Sequence, residues 1–111
     1  MTAVVDAHGA AADEQVSYLR VGWRRAVVDL LQRPASEIGV GDIVLYGDNA
    51  MRVRAITTTG FASGWVRLDL AGPGSVEARM TARADEPVWF ARAASDRDAR
   101  LLSRMYGDRR R

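Results

Sequence analysis

Cysteine and lysine are both absent from this sequence of 111 residues, and histidine occurs once, as His8. Without cysteine the chain has no disulfides, no thiolate nucleophile and no sulfur-rich metal site. Because all 16 basic residues are arginine, Schiff-base chemistry and a phosphate-binding loop of the Gly-Lys-Ser/Thr type are excluded. The sequence therefore predicts a protein that is not an enzyme, with no catalytic residue, cofactor or metal site.

Long apolar runs are also missing, since none approaches the roughly 20 residues that a membrane-spanning helix needs. Hydrophobic residues make up 48% of the chain and charged residues 27%, which is ordinary for a globular protein. We expect a cytoplasmic protein with no membrane partner and a single hydrophobic core. The predicted organisation is a flexible N-terminal tail at 1–11, a single domain at 12–106 and a basic C-terminal tail at 107–111.

The segment 12–33 carries apolar residues at three- and four-residue spacing, which is the pattern of one helix face. These residues are Val16, Leu19, Trp23, Val27, Leu30 and Leu31. Pro34 disfavours helical geometry at the residue before it. The pattern predicts an N-terminal helix over residues 12–33 that packs on the rest of the domain.

From residue 40 onward the hydrophobic period changes to two, which indicates strands. The predicted strands are 42–46, 51–58, 65–70, 76–82 and 88–91. Turn signals separate them, such as Gly47-Asp48-Asn49 and Gly72-Pro73-Gly74-Ser75. In the third strand the alternation predicts that Val66, Leu68 and Leu70 face the core.

Five short strands with a tight turn over Arg83–Pro87 before the last one resemble the SH3-like small β-barrel. The resemblance covers residues 40–92 and implies a five-stranded antiparallel barrel. A second helix is predicted at 96–106, because Ser95 and Asp98 form a variant of the capping box and Gly107 would end the helix. The predicted fold class is α+β, a small barrel flanked by an N-terminal and a C-terminal helix.

Two apolar sets are candidates for binding a protein partner. Aromatic residues at predicted loop ends form the first set: Tyr46, Phe61 and Trp65. The apolar stripe of the C-terminal helix forms the second: Leu102, Met105 and Tyr106. The alternatives are that Trp65 packs under the N-terminal helix and that the stripe packs on its own barrel. We hypothesise a noncatalytic protein-binding or assembly module whose partner is another protein or a second copy, as a homodimer.

The alternative function is accessory nucleic-acid binding by arginine. Strand alternation places four arginines on the outer face of the barrel: Arg52, Arg54, Arg67 and Arg79. The C-terminal segment carries a second set: Arg97, Arg100, Arg104, Arg109, Arg110 and Arg111. Asp69 and Glu77 are predicted on the same barrel face, so ion pairing there would give an ordinary solvated surface instead.

Overall fold

The computed structural model describes residues 4–11, 14–21, 23–58, 64–74 and 76–106, with side chains from Ser17 onward. Its elements are, in chain order, β1 (Val4–Ala11), β2 (Glu14–Val21), β3 (Arg24–Pro34), a 3-10 turn (Ala35–Glu37), β4 (Ile43–Tyr46), β5 (Asn49–Thr57), β6 (Trp65–Ala71), β7 (Glu77–Arg83), β8 (Pro87–Ala93) and α1 (Asp96–Met105). Within these ranges no helix is long and apolar enough to cross a membrane.

The eight described strands form one antiparallel sheet in the order β1-β2-β3-β8-β4-β5-β6-β7. Val4 of β1 also lies opposite Asn49 of β5, although four strands separate β1 from β5 in that order. The sheet must therefore curl. Gly47 makes the sharp β4–β5 turn with a φ of 63°, a value that glycine adopts without steric cost.

The prediction of a helix over residues 12–33 is wrong, because this segment forms the antiparallel hairpin of β2 and β3. Its apolar residues also alternate, and Leu19, Val21, Ala26 and Val28 are all buried. Strand β3 then pairs with β8 from Val28 to Pro34. The segment has both the helical and the alternating spacing of apolar residues. Pairing with the distant strand β8 selects the strand conformation.

The predicted five-stranded barrel flanked by two helices is wrong as a fold class. Its five strands do occur, as β4 to β8, within a few residues of the predicted bounds. However, β8 pairs with β3 as well as with β4, so the sheet continues past the five strands instead of being covered by a helix. The stretch 1–11, expected to be a flexible tail, contributes β1.

The curled sheet buries apolar side chains on both of its faces. Strand β4 lies between the two clusters, because Ile43 belongs to one and Val44 to the other. The first cluster is formed by the β2–β3 hairpin, β4, β8 and α1. The second is formed mainly by β5 to β8, with Leu68 at its centre and without solvent exposure.

Helix α1 is anchored to the sheet at both of its ends. At its start Ser95 Oγ accepts a hydrogen bond from the backbone N–H of Asp98 at 3.2 Å, as the predicted cap requires. One carboxylate oxygen of Asp98 in turn accepts from the backbone N–H of Val27 in β3, at 3.0 Å. Just past its end, the hydroxyl of Tyr106 donates to the carbonyl of Ala50 at 2.7 Å. Burial raises the pKa of Tyr106 above its ordinary value, so its phenol stays protonated and able to donate.

Candidate functional site

Three of the four arginines predicted on the outer face of β5 to β7 lie beside acids. Arg54 Nη1 is 2.9 Å from an oxygen of Glu77, and Arg79 Nε is 3.2 Å from Asp69. Arg67 Nε lies 3.6 Å from the same oxygen of Asp69. Arg52 is partly buried at the start of β5. Cross-strand pairing therefore offsets much of the positive charge of this face.

The second arginine set lies partly outside the described residues. Arg97, Arg100 and Arg104 are exposed on α1. The last three residues of the set, Arg109, Arg110 and Arg111, fall outside the described ranges. Nucleic-acid binding by this set stays a prediction.

The predicted aromatic set does not come together as one surface. Tyr46 is 42% exposed and lies opposite Asn49, at the start of β5. Trp65 is 37% exposed. It lies on β6 two residues before Arg67, which pairs with Thr57 at the other end of β5. The guanidinium of Arg83 stacks over Trp65 at 5.6 Å from the ring centre. Phe61 lies outside the described residues.

The apolar stripe of α1 faces the sheet. Leu102, Met105 and Tyr106 are all buried in the first core cluster. A helix of about ten residues is marginal by itself in water, so this contact stabilises it. These side chains contact the chain's own sheet and are not exposed to a partner.

Two surfaces that the sequence did not predict are available for binding. The first is the outer edge of β7, which is the last strand in the sheet order and pairs with β6 only, among the described strands. The hydrogen-bonding pattern shows which backbone groups point outward. Gly72 N donates to Val76 O, and Ala84 N donates to Gly64 O.

Those two bonds continue the register in which Leu68 lies opposite Met80. Because hydrogen-bonded pairs alternate along an antiparallel ladder, the even-numbered residues of β7 bond to β6. The odd-numbered residues then direct their N–H and C=O groups to the outer edge. These groups are open at Glu77, Arg79 and Thr81, whereas the C=O of Arg83 accepts from the backbone N–H of Glu86 at 3.0 Å. In agreement, Arg83 N donates to a carboxylate oxygen of Glu86 at 3.2 Å instead of to β6.

The second unpredicted surface lies at the end of the β2–β3 hairpin, and we define the hairpin patch as Tyr18, Arg20, Trp23, Arg24 and Arg25. Trp23 is 86% exposed there. The guanidinium of Arg24 lies 5.4 Å from the Trp23 ring centre, and that of Arg25 lies 5.1 Å from the Tyr18 ring centre. Gly22 before Trp23, between two valine-rich runs, is the turn signal that could have located this hairpin.

Among the described residues no group of three or more His, Cys, Asp or Glu side chains could hold a metal ion. Compared with protein-family models, with curated proteins and with solved structures, the chain matches none. Its function must therefore be argued from the edge of β7 and the hairpin patch.

Proposed function

We propose that this protein is a noncatalytic assembly module that binds a second copy of itself through the free edge of β7. The observation that carries the proposal is the row of outward backbone groups on the odd-numbered residues of that strand. Such an edge is a template for another strand. The cytoplasmic location predicted from the sequence is part of the same proposal.

The charge pattern of β7 favours one self-pairing register. In a two-fold antiparallel pair centred on Met80, Glu77 faces the partner subunit's Arg83, and Arg79 faces the partner subunit's Thr81. All of these positions are odd-numbered, so they are also the ones whose backbone groups point outward. Opposite charges face each other twice in this arrangement because of its symmetry.

The neighbouring registers are less favourable for the same chain. A pair centred on Arg79 sets that arginine against the partner subunit's Arg79. A pair centred on Thr81 sets Arg79 against the partner subunit's Arg83. Like charges directly opposite destabilise a strand pair, so electrostatics disfavours these two registers relative to the one centred on Met80.

Local contacts of β7 are compatible with this arrangement. Glu77 and its partner Arg54 are both more than half exposed, so the carboxylate can turn towards a second arginine. At Arg83 the N–H donates to the carboxylate of Glu86 and the C=O accepts from the backbone N–H of Glu86, so both contacts have to loosen at each end of the pair. The two central pairs, Arg79 with Thr81, need no such movement.

The test measures the mass of the full chain by sedimentation equilibrium over a range of concentrations. We expect a concentration-dependent shift from 12.2 kDa to twice that mass. The substitution Thr81→Pro removes an outward N–H without removing a bond to β6, and it should abolish the shift. Circular dichroism checks that the strand signal is retained.

Charge swaps test the register itself. Glu77→Arg sets arginine against the partner subunit's Arg83 and should raise the dissociation constant roughly 2- to 30-fold. Adding Arg83→Glu restores opposite charges and should recover the affinity. Arg100→Glu, an exposed reversal on α1, is the matched control. A chain that stays monomeric, or a dimer that survives Thr81→Pro, would contradict the proposal.

A further inference from the structure

The hairpin patch combines exposed rings and arginines at one end of the sheet. Strand β3 pairs with β8 only from Val28 onward, and its earlier residues pair with β2. Val21 and residues 23–26 therefore extend past the end of β8, and Ala94, the residue after β8, donates its N–H to the carbonyl of Val27. A ring at the end of such an extension, as Trp23 is, can be approached from several directions.

Two guanidinium groups of the hairpin patch are already placed over aromatic rings, Arg24 over Trp23 and Arg25 over Tyr18. The register also sets Arg20 directly opposite Arg25. Arg20, Arg25 and Tyr18 lie on one face of the hairpin and Arg24 lies on the other, because neighbouring residues of a strand point to opposite faces. The exposed ring of Trp23 and the guanidinium of Arg24 thus present flat apolar surface and positive charge together at the turn.

We infer that the hairpin patch binds single-stranded nucleic acid, with phosphates on the arginines and an unpaired base stacked on Trp23. Phosphate accounts for the guanidinium groups, which match its geometry. A base accounts for the exposed ring, because stacking on aromatic side chains is how single strands are held without sequence preference. Duplex is the poorer ligand, since its bases are already stacked on each other. This inference is independent of the proposed dimer.

The experiment measures fluorescence anisotropy of a labelled dT20 oligonucleotide with the full chain at two salt concentrations. We expect Trp23→Ala to weaken binding roughly 5- to 150-fold and Trp23→Phe to recover most of that loss. The pair Arg24→Ala and Arg25→Ala should weaken binding and reduce the slope of log affinity against log salt by about 0.7 for each arginine. Because all three side chains are exposed, these variants should keep the wild-type thermal unfolding curve.

Two matched variants locate the site. Arg54→Ala with Arg79→Ala removes the same number of exposed charges from the β5–β7 face and should leave binding unchanged. A chain ending at Tyr106, which lacks the three terminal arginines, should also bind. If either variant lost as much affinity as the Arg24→Ala and Arg25→Ala pair, the inference would be overturned. Binding would then lie on the arginines of the β5–β7 face or on the C-terminal tail.

Competitors identify the ligand class. Unlabelled dT20 should displace the probe. The affinity of heparin, which carries negative charge but no aromatic rings, should not change with Trp23→Ala. The inference is overturned if wild-type protein does not bind dT20, if it binds duplex equally well, or if it binds only polyglutamate or phosphatidylserine vesicles. The last two results would reassign the patch to an acidic protein or to a lipid surface.

Discussion

Successive side chains of β6 alternate between the buried core and the more exposed face of the sheet. Val66, Leu68 and Leu70 are buried in the second core cluster, as the sequence predicted, while Trp65 is partly exposed. The alternation holds because β6 is paired on both sides, with β5 and with β7. On β5 it fails at one residue. A register shift between Val53 and Ala55 leaves Ala55 exposed, although strict alternation from the buried Met51 and Val53 would turn it inward.

At this scale we predict that Leu68→Ala lowers the free energy of unfolding by about 2–5 kcal/mol. The side chain has no solvent exposure, so its loss leaves a cavity between paired strands that cannot collapse freely. Equilibrium urea unfolding measures the change. The control Thr81→Ala, at an exposed position of β7, should cost less than about 1 kcal/mol. Similar values for the two variants would mean that the faces of the sheet are assigned wrongly.

Among the elements, α1 depends most on contacts with distant residues. The Asp98 carboxylate joins the cap to β3, since it accepts from the Ser95 hydroxyl at 2.6 Å and from Val27 N. These hydrogen bonds, that of Ser95 first and that of Val27 second, lower the pKa of Asp98, with a smaller contribution from the charge of Arg97. The carboxylate thus stabilises the folded chain only while it is ionised.

This gives a prediction for acid pH. A pKa that is lower in the folded chain contributes stability above the ordinary aspartate value, near 4, and this stability is lost as the pH falls through the folded pKa. Asp98→Asn should therefore reduce stability at pH 7 and flatten the decline below pH 4. Urea unfolding at both pH values measures this. The control Asp96→Asn removes the same charge from an exposed position of the same turn. An equal change in the pH dependence of stability would show that the hydrogen bonds of Asp98 are not its cause.

Over the whole molecule, β1 connects distant parts of the sheet. It pairs with β2 from Val4 opposite Arg20 to Ala11 opposite Glu14, and it contacts β5 at Asn49. The two end strands of the sheet, β1 and β7, therefore differ. The β1 end is partly closed against β5, while β7 pairs with no second strand among the described residues and keeps an open edge from Glu77 to Thr81.

Deletion of residues 2–11 tests how much β1 contributes to the stability of the fold. Each backbone hydrogen bond contributes about 0.5–1.5 kcal/mol net, so removal of the strand should lower the free energy of unfolding by several kcal/mol. Hydrogen exchange should show lost protection in β2 and retained protection in β6. A flexible tail would instead change stability by less than about 0.5 kcal/mol, and that result would contradict the pairing.

Local signals in the sequence were sufficient to predict the strands between residues 43 and 93, most of their inward residues and the capped helix α1. Turn residues, period-two alternation and the Ser95 cap each depend on residues that are close together in the sequence, so they can be recognised without knowing the tertiary structure. Local signals did not predict β1, which was expected to be a flexible tail, nor β2 and β3, because helical and alternating patterns coincide in residues 12–33. Their state was decided by the pairing of β3 with β8, about sixty residues apart in the chain.

The candidate sites divide in the same way. Sequence alternation correctly placed Arg54 and Arg79 on an outer face with acids beside them. The tertiary structure alone decided that β7 ends the sheet and that Trp23 lies at a hairpin turn beside arginines. Both depend on which strand pairs with which, and that is set by the free energy of the whole packed sheet, not by the residues of any one strand.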